Sequence, residues 1–88
     1  MEKVNATGRE LFTTNVNGYV INHTKTTTSS NVYVTSIISM GEERIGSASY
    51  NKDNDHFTLG IRSWADIAEK DRTLLAQTII NDYNELLR

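Results

Sequence analysis

Across residues 11–40, fifteen of thirty side chains are Ser, Thr or Asn, and Lys25 is the only charged one. The remainder are mostly Val, Ile, Tyr and Phe. Thr, Val, Ile and Tyr favour strands, because branched and aromatic side chains pack well on a pleated surface. The stretch carries no charge run and no repeat, so it reads as sheet and not as a disordered tract.

Turn signals divide it. Asn17-Gly18 is a strong two-residue hairpin signal, since both residue types tolerate positive φ. It predicts strands near 10–16 and 19–27. "TTSSN", residues 27–31, reads as the next turn. "VYVTSIISM", residues 32–40, is the most strand-like run, and Gly41-Glu42 turns it back into "RIGSASY", residues 44–50. The switch from Val32 and Val34 to the adjacent pair Ile37-Ile38 predicts a bulge or a two-sided strand. After "NKDND" comes "HFTLGIR", where Phe57, Leu59 and Ile61 alternate with His56, Thr58 and Gly60 as in a half-buried strand. Residues 1–9, "MEKVNATGR", have no clear period and read as a flexible arm.

From Ser63 the period changes. Ser63 with Asp66 three residues on is a variant of the capping box. Trp64, Ile67, Ala68, Leu74, Leu75, Ile79, Tyr83 and Leu86 then recur at helical spacing. The prediction is one long helix, or a short turn followed by a long one with a break near Lys70-Asp71. The fold class expected is therefore α+β: an antiparallel meander of four or five strands, with one face covered by a C-terminal helix. Eighty-eight residues make a single domain, 1–88, with a sheet part over 10–62 and a helical part over 63–88.

Composition excludes several function classes. With no cysteine there is no disulfide framework and no thiolate metal site. The first twenty residues lack a long apolar run, which predicts a cytoplasmic protein with no membrane association. The net charge of −2 is too balanced for a nonspecific nucleic-acid binder and too weak for a polyanionic mimic of DNA. The acids collect late, with five against three bases in residues 63–88.

The densest run of ligand-type side chains is "NKDNDHF", residues 51–57. As a calcium loop starting at Asp53 it fails, because Phe57, Thr58 and Trp64 occupy positions that need an oxygen, a Gly and a Glu. Asn, Asp and Lys are also what a hairpin turn uses, and a turn is the expectation. His23 and His56 are the only candidate general bases, and the sequence sets neither beside a nucleophile or an orienting partner. "HTKTTTSSN", residues 23–31, has the hydroxyls and the lysine for a phosphate, but no adjacent Gly-rich nest. No cofactor motif occurs.

Two surfaces remain. Tyr19, Tyr33 and Tyr50 lie in three different strands, and on one open sheet face they would form an aromatic platform for bases or a protein. On the helix, Ile80 and Leu87 point away from the centre of the apolar stripe, which with Tyr83 suggests a partner or self-association surface. The acids Asp66, Glu69, Asp71, Asp82 and Glu85 would favour a basic partner there. The leading expectation is a small non-catalytic protein-binding module, an accessory regulator or inhibitor of a larger protein, of the size common among bacterial and phage proteins. The alternatives are single-stranded nucleic-acid binding through the tyrosine face, and a small metal-dependent hydrolase centred on Asp55 and His56.

Overall fold

The computed structural model describes every residue except Thr7 and Gly8, and for Glu2–Ala6 it describes the backbone alone. Six strands follow one another as β1 (Glu2–Ala6), β2 (Glu10–Val16), β3 (Tyr19–Thr27), β4 (Val32–Met40), β5 (Glu43–Asn51) and β6 (His56–Ile61). They form one antiparallel sheet in sequence order. A 3-10 turn, Trp64–Asp66, leads into the single helix α1 (Glu69–Leu86).

The meander of four or five strands expected over 10–62 is present as five, and the sheet has one more. Residues 2–6, expected in a flexible arm, pair antiparallel with β2. The remainder of that expectation at Thr7 and Gly8 lies outside the described residues. Asn17 (φ 47°) and Gly18 (φ 83°) both take positive φ, so the β2–β3 hairpin turns in two residues as their chemistry allows.

β4 is two-sided: Ile38 is buried in the core and Ile37 is exposed on the other face. The bulge falls in the partner strand. Ile38 and Ser39 are consecutive, while their partners Gly46 and Arg44 skip Ile45. Gly46 is required there, since a Cβ would stand 2.5 Å from the Gly60 carbonyl oxygen.

Register assigns the faces. Tyr19, Ile21 and His23 of β3 oppose Val16, Thr14 and Phe12 of β2, and Val34, Ser36 and Ile38 of β4 oppose Tyr50, Ala48 and Gly46 of β5. These residues face α1. The core comprises Tyr19, Ile21, Val34, Ile38 and Ala48 from the sheet with Leu75, Ile79, Tyr83 and Leu86 from the helix. Ile21, Ile38, Leu75 and Ile79 have no exposed surface, and each contributes roughly 1.5–3 kcal/mol by burial.

The entry to the helix differs from the predicted one. Ser63 sits in the left-handed region and makes no side-chain cap, and Ala68 is the residue before α1. The break between turn and helix therefore falls at Ile67-Ala68, a few residues before Lys70-Asp71. Glu69 and Asp71 in the first turn complement the helix dipole. At the other end Lys25 Nζ donates to the Leu86 carbonyl at 2.6 Å, capping the C-terminus from β3. Trp64 and Leu74, placed in the core stripe by spacing, are exposed.

Candidate functional site

The strands and α1 bring five polar side chains together between sheet and helix, four of them buried and Thr14 half-buried. His23 is one alternation beyond Ile21 on β3, and Ser36 lies between Val34 and Ile38 on β4. Asp82 and Tyr83 lie on α1 between Ile79 and Leu86. His23 Nε2 is 2.8 Å from Asp82 Oδ2, and His23 Nδ1 is 2.6 Å from Ser36 Oγ. Ser36 Oγ is 2.6 Å from the Tyr83 hydroxyl, and Thr14 Oγ1 donates to Asp82 Oδ2 at 2.6 Å. The His23 and Tyr83 rings meet edge-on with centroids 5.7 Å apart.

One arrangement of protons satisfies every group. A carboxylate only accepts, so His23 donates to it from Nε2. The neutral ring then accepts at Nδ1, so the Ser36 hydroxyl donates there. Ser36 in turn accepts from the Tyr83 hydroxyl. The chain runs Tyr83, Ser36, His23, Asp82, with Thr14 donating into the same oxygen of Asp82.

These are the residue types and the order of a Ser-His-Asp triad. Access is what separates the two. Ser36 is 2 % exposed and His23 1 %, and Ser36 Oγ is already held by Tyr83. A substrate carbonyl has no path to that oxygen in this conformation. Burial pushes the His23 imidazole below its ordinary range, with the hydrogen bond and charge of Asp82 opposing. Burial pushes the Tyr83 phenol up to about 12. The arrangement holds its protons in place and locks α1 in register on the sheet.

The other candidates resolve individually. Residues 51–57 are the end of β5, a turn and the start of β6. Asp55 takes positive φ (50°) and accepts from the Tyr50 hydroxyl at 2.7 Å, while Asn31 and Asn51 accept from the Asp53 backbone at 2.9 Å. The hydrogen bond to Asp55 raises the Tyr50 pKa from its ordinary value. Among the described residues no three His, Cys, Asp or Glu side chains converge as metal ligands. In residues 23–31, His23 is sealed in the core and Lys25 caps α1, so both basic side chains of that segment are committed.

The tyrosines do not share a face. Tyr19 and Tyr50 point to the helix side and Tyr33, one residue from Val34, to the opposite side. Tyr19 and Tyr83 are buried. The single open-face platform is therefore not formed, because strand parity splits it. The acid cluster is also divided: Asp82 is buried against His23, and Asp71 accepts from Asn17 Nδ2 at 2.7 Å. A basic partner at the helix loses that support.

Ile80 and Leu87 are exposed, at 45 % and 37 %, and Phe57 of β6 joins them at 41 %. With Tyr50, Tyr83 and Asn84 they line an open groove of about 230 Å³ between α1 and β6. None of the six is charged. Ile80 continues into a second, wider hollow of about 460 Å³ that ends at Trp64 and Arg72. Phe57 stacks edge-on against Tyr83 at 5.2 Å, so it is held in place although exposed. Sequence reading placed Ile80 and Leu87 here and missed Phe57; its signal was a phenylalanine in the last strand, beyond the reach of a single helix.

Compared with known proteins, the chain matches no family model, no curated protein and no solved structure. Among the described residues no helix is long and apolar enough to cross a membrane.

Proposed function

We propose that this chain is a small non-catalytic protein-binding module that docks its partner along the flank formed by α1 and β6. The observation that carries the reading is the exposure of Phe57, Ile80 and Leu87 around one uncharged groove. Contiguous apolar surface on so small a domain is costly to leave in water and commonly marks an interaction site. Phe57 and Tyr50 supply aromatic anchors of the kind that dominate interface energetics. The sealed Ser36 hydroxyl supports a non-catalytic role. An accessory role, regulating or blocking a larger protein, belongs to the same proposal and rests on the size of the domain. So does a cytoplasmic setting, which a chain with no cysteines to pair suits.

The test is affinity capture from a bacterial lysate with the wild-type chain, with Ile80→Asp and with Leu87→Asp, each with and without nuclease. A stoichiometric protein that survives nuclease and is lost with both variants is expected. Capture of the same proteins by all three chains would overturn the reading, and so would material that vanishes with nuclease.

A further inference from the structure

We propose that β6, the edge strand bordering this flank, pairs antiparallel with β6 of a second copy of the chain across a two-fold axis at Leu59. The proposal rests on the reading of the α1–β6 flank as a protein surface and sets a second copy along its edge strand.

The backbone of β6 supplies the first argument. β6 is an edge of the sheet. Arg62 N donates to the Ile45 carbonyl at 2.9 Å. Antiparallel bonding alternates, so Gly60, Thr58 and His56 also direct their backbone groups to β5. The N–H and C=O groups of Phe57, Leu59 and Ile61 are then directed outward, into the open edge.

Edges of this kind are normally blunted by Lys, Pro, a bulge or an inward-pointing charge. β6, "HFTLGI", has none of these, and its pairing with β5 runs without a register shift. The other edge is β1, whose side chains lie outside the described residues.

The strand is complementary to itself. Residues directly opposite in an antiparallel pair must point to the same face. Centring on Leu59 sets Phe57 opposite Ile61, Leu59 opposite Leu59, and Ile61 opposite Phe57. All three are helix-side residues, and all three carry the outward backbone groups. Every outward donor of the strand thus meets an outward acceptor. The two sheets become one, both helices lie on the same side, and Phe57, Leu59 and Ile61 of the two copies meet cross-strand. This isologous contact closes on itself and gives a dimer, not a fibre.

No charged side chain lies within β6 itself.

The chain has no cysteine, so a single engineered one can be labelled cleanly. The experiment is sedimentation equilibrium up to millimolar concentration together with nitroxide spectra of Thr58→Cys and, as control, Asn17→Cys. A dimer is expected, with the Thr58 labels within roughly 15 Å and strongly broadened. The Asn17 labels should be separated by more than about 30 Å, given some 4.8 Å per strand. Phe57→Lys, which places a lysine on the edge, should weaken dimerisation at least tenfold with the helical circular dichroism retained. A monomer throughout overturns the proposal, as does a dimer whose Thr58 labels are not broadened. If the chain is monomeric but Ile80→Asp still abolishes capture of another protein, the flank reading stands and only the self-pairing fails.

Discussion

His23 of β3 and Asp82 of α1 meet at 2.8 Å in a buried contact between an imidazole and a carboxylate. They are 59 positions apart in the chain. The bond joins sheet to helix, and the rest of the network depends on the imidazole staying neutral, since Nδ1 accepts from Ser36.

That dependence gives the first prediction. In the unfolded chain a histidine titrates near 6.5, roughly. Desolvation holds His23 below that value in the fold, and Asp82 only partly opposes it. Between the two values the unfolded chain binds a proton that the folded chain does not, so stability falls as the pH drops below about 6.5. It levels off once the pH is below the folded value. Above about 6.5 both states are neutral at this site and it adds no slope. Denaturation midpoints measured from pH 8 to pH 5 should decline, and His23→Gln should flatten the decline.

The second prediction concerns the pair itself. Asp82→Ala leaves the His23 N–H and the Thr14 hydroxyl without their acceptor inside the core. The expected loss is on the order of 3 kcal/mol. A double-mutant cycle with His23→Ala should return a coupling well above the few tenths of a kcal/mol expected of independent sites. Additive losses in that cycle would mean that the two side chains do not act on each other.

Much of this fold is legible in the residues, and the interior network shows where that legibility stops. The strands β2 to β6 follow from turn chemistry at Asn17-Gly18 and Gly41-Glu42 and from the alternation in β6. β1 is not legible, because the alternation in "EKVNA" is confined to Val4 and Ala6, too short to mark a strand, and the segment is recruited by pairing with β2. The network left a trace that period alone does not decode. His23, Ser36 and Asp82 each occupy a position that the apolar pattern assigns to the core. A buried polar residue needs a partner, so three such residues at core positions imply one another. Which meets which depends on how α1 crosses the sheet, a tertiary relation absent from local pattern. Ser63 failed as a cap for a related reason: the chain must reverse from β6 toward the helix, and Ser63 takes left-handed φ to do so.

At the alkaline side the Tyr83 phenol predicts a second transition. Its pKa is pushed up to about 12 by burial, against roughly 10 in the unfolded chain. The stability it contributes is complete below about pH 10 and is lost as the pH rises toward 12. Tyr83→Phe should remove that slope and cost about 1 kcal/mol at neutral pH, since Ser36 loses its donor. Thermal melts at pH 8, 10 and 11 on both chains would check it.

Two glycines of the same hairpin should respond unequally to Ala. At Gly46 a Cβ would meet the Gly60 carbonyl oxygen at 2.5 Å and Ile61 Cγ1 at 3.0 Å. The oxygen belongs to the backbone and cannot swing aside, so β5 and β6 must separate. Gly46→Ala should cost about 1–3 kcal/mol. At Gly60 no heavy atom lies within 4 Å of the same position. Gly60→Ala should stay within about 0.5 kcal/mol of wild type, as surface changes do. Chemical denaturation of the two variants separates the outcomes.

The last prediction divides α1 into its two duties. Leu75 is buried without exposed surface, whereas its neighbour Leu74 and the groove residue Ile80 are exposed. Leu75→Ala removes core contacts and leaves a cavity, at an expected cost of about 2–5 kcal/mol. Leu74→Ala should change stability by less than about 1 kcal/mol, although spacing alone would rank the two leucines together. Ile80→Asp places a charge where water already reaches, so its melt should stay close to wild type while association is lost. Equal destabilisation by Leu75→Ala and Ile80→Asp would mean that Ile80 packs within the fold, and the flank would then have no surplus apolar surface to offer a partner.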